Sequence, residues 1–216
     1  RNVLERIKHW EPPVEASSSG KYLKKVFILG PSRSGKTTIE TILSESPNIF
    51  PMSENINLHR ISSDFIDSKV GSTIFEYLFY HNEAALFQQG YQLITTSSPS
   101  IAHKVDELLN VFTGSAIILV RREVYDLAAE IFTREYPMGN FYSYEPRKLM
   151  EYLEVYYEVM GTLSQKIPDR FISVSFDEIQ QDPGLVIEKI SKFIGIEIKV
   201  DKQKQRTQAF TSESIY

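Results

Sequence analysis

Residues Gly30-Pro31-Ser32-Arg33-Ser34-Gly35-Lys36-Thr37 satisfy the spacing G-x-x-x-x-G-K-[ST], and the chemistry that spacing serves is phosphate binding. The glycines let the backbone close around an anion. The first N–H groups of a following helix have no carbonyl partners and carry the positive end of the helix dipole, so they favour negative charge. Lys36, Arg33 and the hydroxyls of Ser34, Thr37 and Thr38 add donors around the same point. The motif has this meaning only between a strand and a helix, and both are predicted. Val26-Phe27-Ile28-Leu29 is an apolar run that stops at Gly30, and Thr37 to Glu45 places Ile39, Ile42 and Leu43 on one helical face.

The loop alone does not select a reaction. Phosphoryl-transferring enzymes with such a loop also need an acidic residue at a strand end to hold Mg²⁺. The apolar, β-branched strand Ala116–Val120 ends in Arg121-Arg122, the opposite charge, whereas Phe171–Phe176 ends in Asp177. A Mg²⁺-dependent kinase or NTPase therefore stays open at this point, resting on Lys36 and Asp177.

The elements that must position the loop follow from periodicity. Strands are predicted at Val26–Leu29, Gln92–Thr96, Ala116–Val120 and Phe171–Phe176. Helices are predicted over Thr37–Glu45, much of Ile61–Gln89, Ile101–Phe112, Val124–Arg134, Arg147–Gln165 and Leu185–Ile194, with Tyr136–Pro146 a loop. Pro47 and Pro51 bound a turn. Strands alternating with helices imply an α/β class, a three-layer P-loop nucleotide-kinase-like domain with a central parallel sheet. Pro12-Pro13 and Ser17-Ser18-Ser19-Gly20 mark residues 1–20 as an N-terminal arm or linker ahead of a domain at 21–216.

A chain of 216 residues with 42% hydrophobic and 24% charged residues has the make-up of a globular protein with one sizeable core. Its net charge of -4 gives no general reason for binding nucleic acid, so an anion site must be a local feature. With no cysteine, thiolate metal sites, disulfides and cysteine nucleophiles are excluded, which fits a reducing, cytoplasmic setting. No apolar run is long enough for a membrane span, and no signal-peptide pattern opens the chain. The first residue is Arg1, so a further domain before it is expected to be possible.

Beyond these physical readings, Ser32-Arg33-Ser34-Gly35-Lys36-Thr37-Thr38 resembles the phosphate loop of nucleotide-dependent sulfotransferases. The resemblance continues through Leu43-Ser44-Glu45-Ser46-Pro47-Asn48-Ile49 and Ser53-Glu54. It extends to the strand and helix from Ile117 to Ala129, to Phe141-Tyr142-Ser143-Tyr144, and to Val174-Ser175-Phe176-Asp177-Glu178-Ile179 with Asp182-Pro183. It spans nearly everything from Val26 to Ile196 and is greatest toward protein-tyrosine and tetratricopeptide-linked members. The resemblance implies transfer of a sulfuryl group from 3′-phosphoadenosine 5′-phosphosulfate to an acceptor hydroxyl, without a metal. It implies that Arg33, Ser34, Gly35, Lys36, Thr37 and Thr38 hold the 5′-phosphosulfate and that Arg122 holds the 3′-phosphate. It also implies that Glu54 is the general base and that Arg33 and Lys36 stabilise charge in the transfer. The acceptor would be a peptide, a glycan or a small molecule.

This chain departs from the family pattern at four places. Lys36 stands where the family usually has Thr. Glu130 takes the place of a Ser beside the 3′-phosphate, where an anion would repel it. Ser97 replaces a lysine that assists the leaving group in some relatives, and Thr211-Ser212, resembling the start of a donor-binding segment, lie close to the last residue. A catalytically inactive nucleotide-binding module is thus a third reading. Among other residues, Phe65, Phe75, Tyr77, Phe79, Tyr80 and Phe87 are expected to face the core, and the aromatic loop Tyr136–Tyr144 to meet the acceptor. His59 is an auxiliary base candidate, and Asp106-Glu107 and Lys199–Arg206 are expected to be solvated faces.

Overall fold

The computed structural model describes residues 3–13, 23–54, 71, 74, 82–136 and 140–198. Five strands, β1 (Lys24–Leu29), β2 (Ile49–Pro51), β3 (Leu93–Thr96), β4 (Ala116–Arg121) and β5 (Phe171–Ser175), form one sheet in the order β2-β3-β1-β4-β5. Every pairing is parallel. β1 is central: Val26 lies beside Thr95 on one side and Ala116 on the other. This is the expected three-layer α/β arrangement.

Alternation along the strands builds two cores, because successive side chains leave a strand on opposite faces. Val26, Ile28, Ile118 and Val120 pack with Ile39, Ile42 and Leu43 of α2 (Lys36–Ser44) on one face. Phe27, Leu29, Ile117 and Leu119 pack on the other. They meet Leu108 and Leu109 of a helix at Val105–Val111, and Tyr156, Met160 and Leu163 of a helix at Pro146–Lys166. Residues central to the sheet are covered on both sides, which is why their sequence reads as continuous apolar runs.

Several boundaries differ from expectation for local reasons. The predicted helix Ile101–Phe112 divides into a 3₁₀ segment at Pro99–Lys104 and an α-helix at Val105–Val111. β2 falls in the stretch read as a turn between Pro47 and Pro51; three residues show no period, and Pro51 is tolerated because the strand lies at the sheet edge. The strand at Phe171 stops at Ser175, which caps a short helix, Phe176–Gln181, through a reciprocal bond with Glu178.

The reading of residues 1–20 as an arm misses a helix, α1 (Val3–His9). Leu4, Ile7 and Trp10 are buried in the sheet's second core, and Lys166 donates to the Trp10 carbonyl at 2.6 Å. Residues 1–2 and 14–22, Ser17–Gly20 among them, lie outside the described residues. Asp106 is likewise not a solvated residue. It is buried and accepts both Nε (3.0 Å) and Nη2 (2.8 Å) of Arg6. Phe87 is exposed rather than core-facing. Phe65, Phe75, Tyr77, Phe79, Tyr80, His59, Lys199–Arg206 and Thr211-Ser212 lie outside the described residues. Among the described residues, no helix is long and apolar enough to cross a membrane.

Candidate active site

The phosphate loop joins the C-terminal end of β1 to the first turn of α2, the position where open α/β sheets place ligands. Both glycines are sterically required. A Cβ on Gly30 would lie 2.2 Å from Ser34 Oγ and 2.7 Å from the Val120 carbonyl, and one on Gly35 would lie 2.3 Å from the Phe176 ring. Gly35 also adopts a φ of 98°, which a side chain would strain. Arg33 sits at φ 62°, in the left-handed region unusual for a non-glycine residue. The loop is therefore a shaped backbone cradle, with the exposed Arg33 side chain at its rim.

Inside the cradle, Ser34 Oγ is fully buried and meets no partner among the described residues, an observation that asks for an acceptor such as a phosphate oxygen. Lys36 is also buried, and its Nζ donates to the Pro31 carbonyl at 2.6 Å. Burial lowers its proton affinity to about 8 on the pH scale. The charge of Glu54 opposes that shift and Arg33 adds to it. Lys36, Glu54 and Arg33 thus share one electrostatic neighbourhood. Glu54 is exposed, Thr37 is exposed and Thr38 half-buried on the first turn of α2.

Arg122 follows the end of β4, beside β1 in the sheet. Its guanidinium lies over the Phe176 ring with its carbon 4.9 Å from the centroid, its Nη1 donates to the Arg33 carbonyl at 3.4 Å, and its Nη2 is 3.6 Å from Glu130 Oε1. Sheet order thus brings Arg122 to the phosphate loop. It also brings Glu130, from the helix Val124–Phe132, to Arg122 as an ion-pair partner.

The strands flanking β1 end in Thr96-Ser97 and Arg121-Arg122, so neither presents a carboxylate beside the loop. Asp177, the residue that kept a metal-dependent reading open, is exposed on the short helix after β5, beyond β4 from β1. The aromatic loop is tied to the site: Tyr136 Oη and Ser32 Oγ are 3.2 Å apart, and Tyr144 Oη donates to the Tyr136 carbonyl at 2.8 Å. Residues 137–139 lie outside the described residues. Tyr142 stacks on Tyr152 at 3.8 Å, which leaves Phe141 and Tyr144 turned outward.

Sequence reasoning missed two kinds of supporting residue. Tyr156 and Tyr157 read only as helix positions, but the Tyr156 hydroxyl lies against the Gly30 backbone and that of Tyr157 against the Arg122 backbone. Burial raises the proton affinity of both phenols, so they stay neutral at ordinary pH. Glu40 falls inside the predicted helix Thr37–Glu45, which by itself does not single it out, and it is buried. A charged residue amid Ile39 and Ile42 was the one available signal.

The sequence profile described as "Sulfotransferase family" matches residues 25–200. The chain belongs to the sulfotransferase family. No curated protein sequence matches it. Among solved structures, the sulfotransferase domain of the Synechococcus PCC 7002 olefin synthase is similar at a TM-score of 0.59 and 20% identity, covering 96% of this chain and 92% of that one. A sulfotransferase from Alicyclobacillus acidocaldarius is similar at 0.55 and 16% identity, covering 89% and 92%. A mouse sulfotransferase complexed with PAP is similar at 0.52 and 14% identity, covering 99% and 71%. At these identities the structures attest the fold, and the profile attests the family.

Proposed function

We propose that this sulfotransferase-family chain transfers a sulfuryl group from 3′-phosphoadenosine 5′-phosphosulfate to an acceptor hydroxyl. The observation that carries the reading is Arg122 lying against the phosphate loop through the Arg33 carbonyl. It supplies a cation where a metal-dependent phosphoryl-transfer enzyme would place a carboxylate.

In this reading the loop amides, Ser34 Oγ, Thr37, Thr38 and Arg33 hold the 5′-phosphosulfate, and Arg122 holds the 3′-phosphate. The acceptor O–H gives its proton to the Glu54 carboxylate as its oxygen attacks sulfur. The bond from sulfur to the bridging phosphate oxygen breaks, and its electron pair leaves with adenosine 3′,5′-bisphosphate. Lys36, Arg33 and the loop amides stabilise the charge that develops on that oxygen. The outward Phe141 and Tyr144 offer an acceptor surface beside the loop. Family membership supports a hydroxyl acceptor; peptide, glycan and small-molecule acceptors all have such a group.

The test is binding. Adenosine 3′,5′-bisphosphate is expected to raise the thermal midpoint without added metal, because a ligand of the native state stabilises it. Stabilisation only by ATP with Mg²⁺ would instead support a kinase. The pH profile adds a signature. A bound anion favours protonated Lys36, whereas free Lys36 loses its proton near pH 8. Binding then takes up a proton above that pH, so affinity is flat below about 8 and declines above it, the sign linkage requires. Lys36→Met should abolish the decline.

Glu130 bears on whether the site is fully active. Its carboxylate occupies Arg122 Nη2 at 3.6 Å and would repel a 3′-phosphate. Glu130→Ser is expected to tighten adenosine 3′,5′-bisphosphate binding several-fold, on the order of 1 kcal/mol for a half-exposed pair, and to leave adenosine 5′-phosphosulfate unchanged. Titration calorimetry with both ligands decides it, and equal effects on the two would remove Glu130 from the 3′-phosphate site.

A further inference from the structure

Glu40 lies on α2 one turn beyond Lys36 and is 3% exposed. A carboxylate buried this deeply is costly unless donors satisfy it. Donors converge from two strand ends. The Ser53 N–H at 3.2 Å and the Thr95 hydroxyl at 3.0 Å donate to Oε1, and the Ser97 hydroxyl donates to Oε2. Ser53 is gripped from its other side as well. Its carbonyl accepts Thr96 Oγ1 at 2.7 Å and the Ser97 N–H at 3.2 Å.

Between these bonds Ser53 holds a φ of 48°. A non-glycine residue keeps that conformation only where its surroundings over-determine it. Glu54 follows directly, and its charge reaches Lys36 in the phosphate loop. The bonds around Glu40 therefore tie the loop's own helix to the turn that carries Glu54. Ser97, which stands where some relatives carry a lysine, gives its hydroxyl to this network.

We propose that Glu40 is a positioning residue, whose buried carboxylate locks the Ser53 turn and so aims Glu54 at the phosphate loop. The inference rests on the reading of Glu54 as the acceptor-side base, and it adds the group that sets that base in place.

The experiment compares Glu40→Ala and Glu40→Gln, each alone and combined with Glu54→Gln. It measures affinity for adenosine 3′,5′-bisphosphate, kcat for sulfuryl transfer and the Lys36 titration midpoint by NMR. Glu40→Ala is expected to lower kcat at least about 10-fold, a part of what a base contributes, and to cause no further loss in the Glu54→Gln background. Nucleotide affinity should stay within about twofold of the parent. The Lys36 midpoint should fall, as is also expected when Glu54 itself is neutralised, because the Glu54 charge favours protonated Lys36. Glu40→Gln keeps an acceptor for the Ser53 N–H and should recover most of the rate.

Equal losses in both backgrounds, or an unmoved Lys36 midpoint, would overturn the proposal. If Glu40→Ala does not fold, Glu40→Asp keeps the charge and withdraws it by one methylene, and the same coupling to Glu54 is expected; its absence there also overturns the inference. A chain that transfers no sulfuryl group defeats the proposed reaction, not this inference, which the Lys36 midpoint still decides.

Discussion

Glu54→Gln is expected to lower sulfuryl transfer by about 10²- to 10⁴-fold, the contribution of a positioned general base, while nucleotide affinity stays nearly unchanged. An acceptor hydroxyl must lose its proton as it attacks, and a phenol with a reference pKa of about 10 is mostly protonated at neutral pH. The carboxylate is exposed and therefore accessible to an acceptor, and it lies close enough to Lys36 to support that residue's charge. The amide has the same shape but takes no proton. Because the side chain is exposed, the substitution leaves no buried group unsatisfied, and the thermal midpoint should hold. Single-turnover kinetics on saturated enzyme separates the chemical step from binding. Unchanged turnover by a well-folded Glu54→Gln protein would remove Glu54 from the chemistry.

The second large effect is at the two arginines. Arg33→Ala and Arg122→Ala should each weaken adenosine 3′,5′-bisphosphate binding by about 1.5–3 kcal/mol, the scale of a charge-assisted hydrogen bond, or roughly 10- to 150-fold. The two should differ in which ligand they affect. Arg33 belongs to the loop that would hold the 5′ end, so its loss weakens adenosine 5′-phosphosulfate as well. Arg122 touches the loop at the Arg33 carbonyl and lies over the Phe176 ring. Its loss should therefore cost the ligand with a 3′-phosphate far more than the one without it. Calorimetry with the two ligands reads this directly. An Arg122→Ala protein of unaltered affinity would place the 3′-phosphate elsewhere.

Arg122 also explains why Glu130 matters more than its sequence position suggests. In the free protein the guanidinium is shared between an aromatic face, a backbone carbonyl and a carboxylate. A 3′-phosphate bound at Arg122, as proposed, would compete with that carboxylate. The pair is partly exposed, so the competition is modest and screened by salt. A measurable bisphosphate affinity that rises in Glu130→Ser is consistent with an active enzyme of altered donor preference.

What the residues determine alone is local. The strand, glycine-rich turn and helix around Gly30–Thr37 are legible because covalent spacing sets where the backbone amides point, and the apolar runs at Val26–Leu29 and Ala116–Val120 are legible because burial on two faces demands them. Arg33, Lys36 and Arg122 could be singled out for the same reason: each adjoins such an element. Short elements escaped, since three residues of β2 carry no period and the helix at Phe176–Gln181 is made by a cap rather than by a hydrophobic stripe. What only the tertiary structure decided is which distant groups meet. The sheet order places β3 and β4 on either side of β1; this delivers Thr95 and Ser97 to Glu40 from more than 50 positions away and sets Arg122 against the loop. Nothing in the sequence near Glu40 or Asp106 announces a partner. A charged side chain reads as solvent-facing until the fold supplies donors for it, and those donors come from strands and helices whose neighbours are settled by packing the whole core.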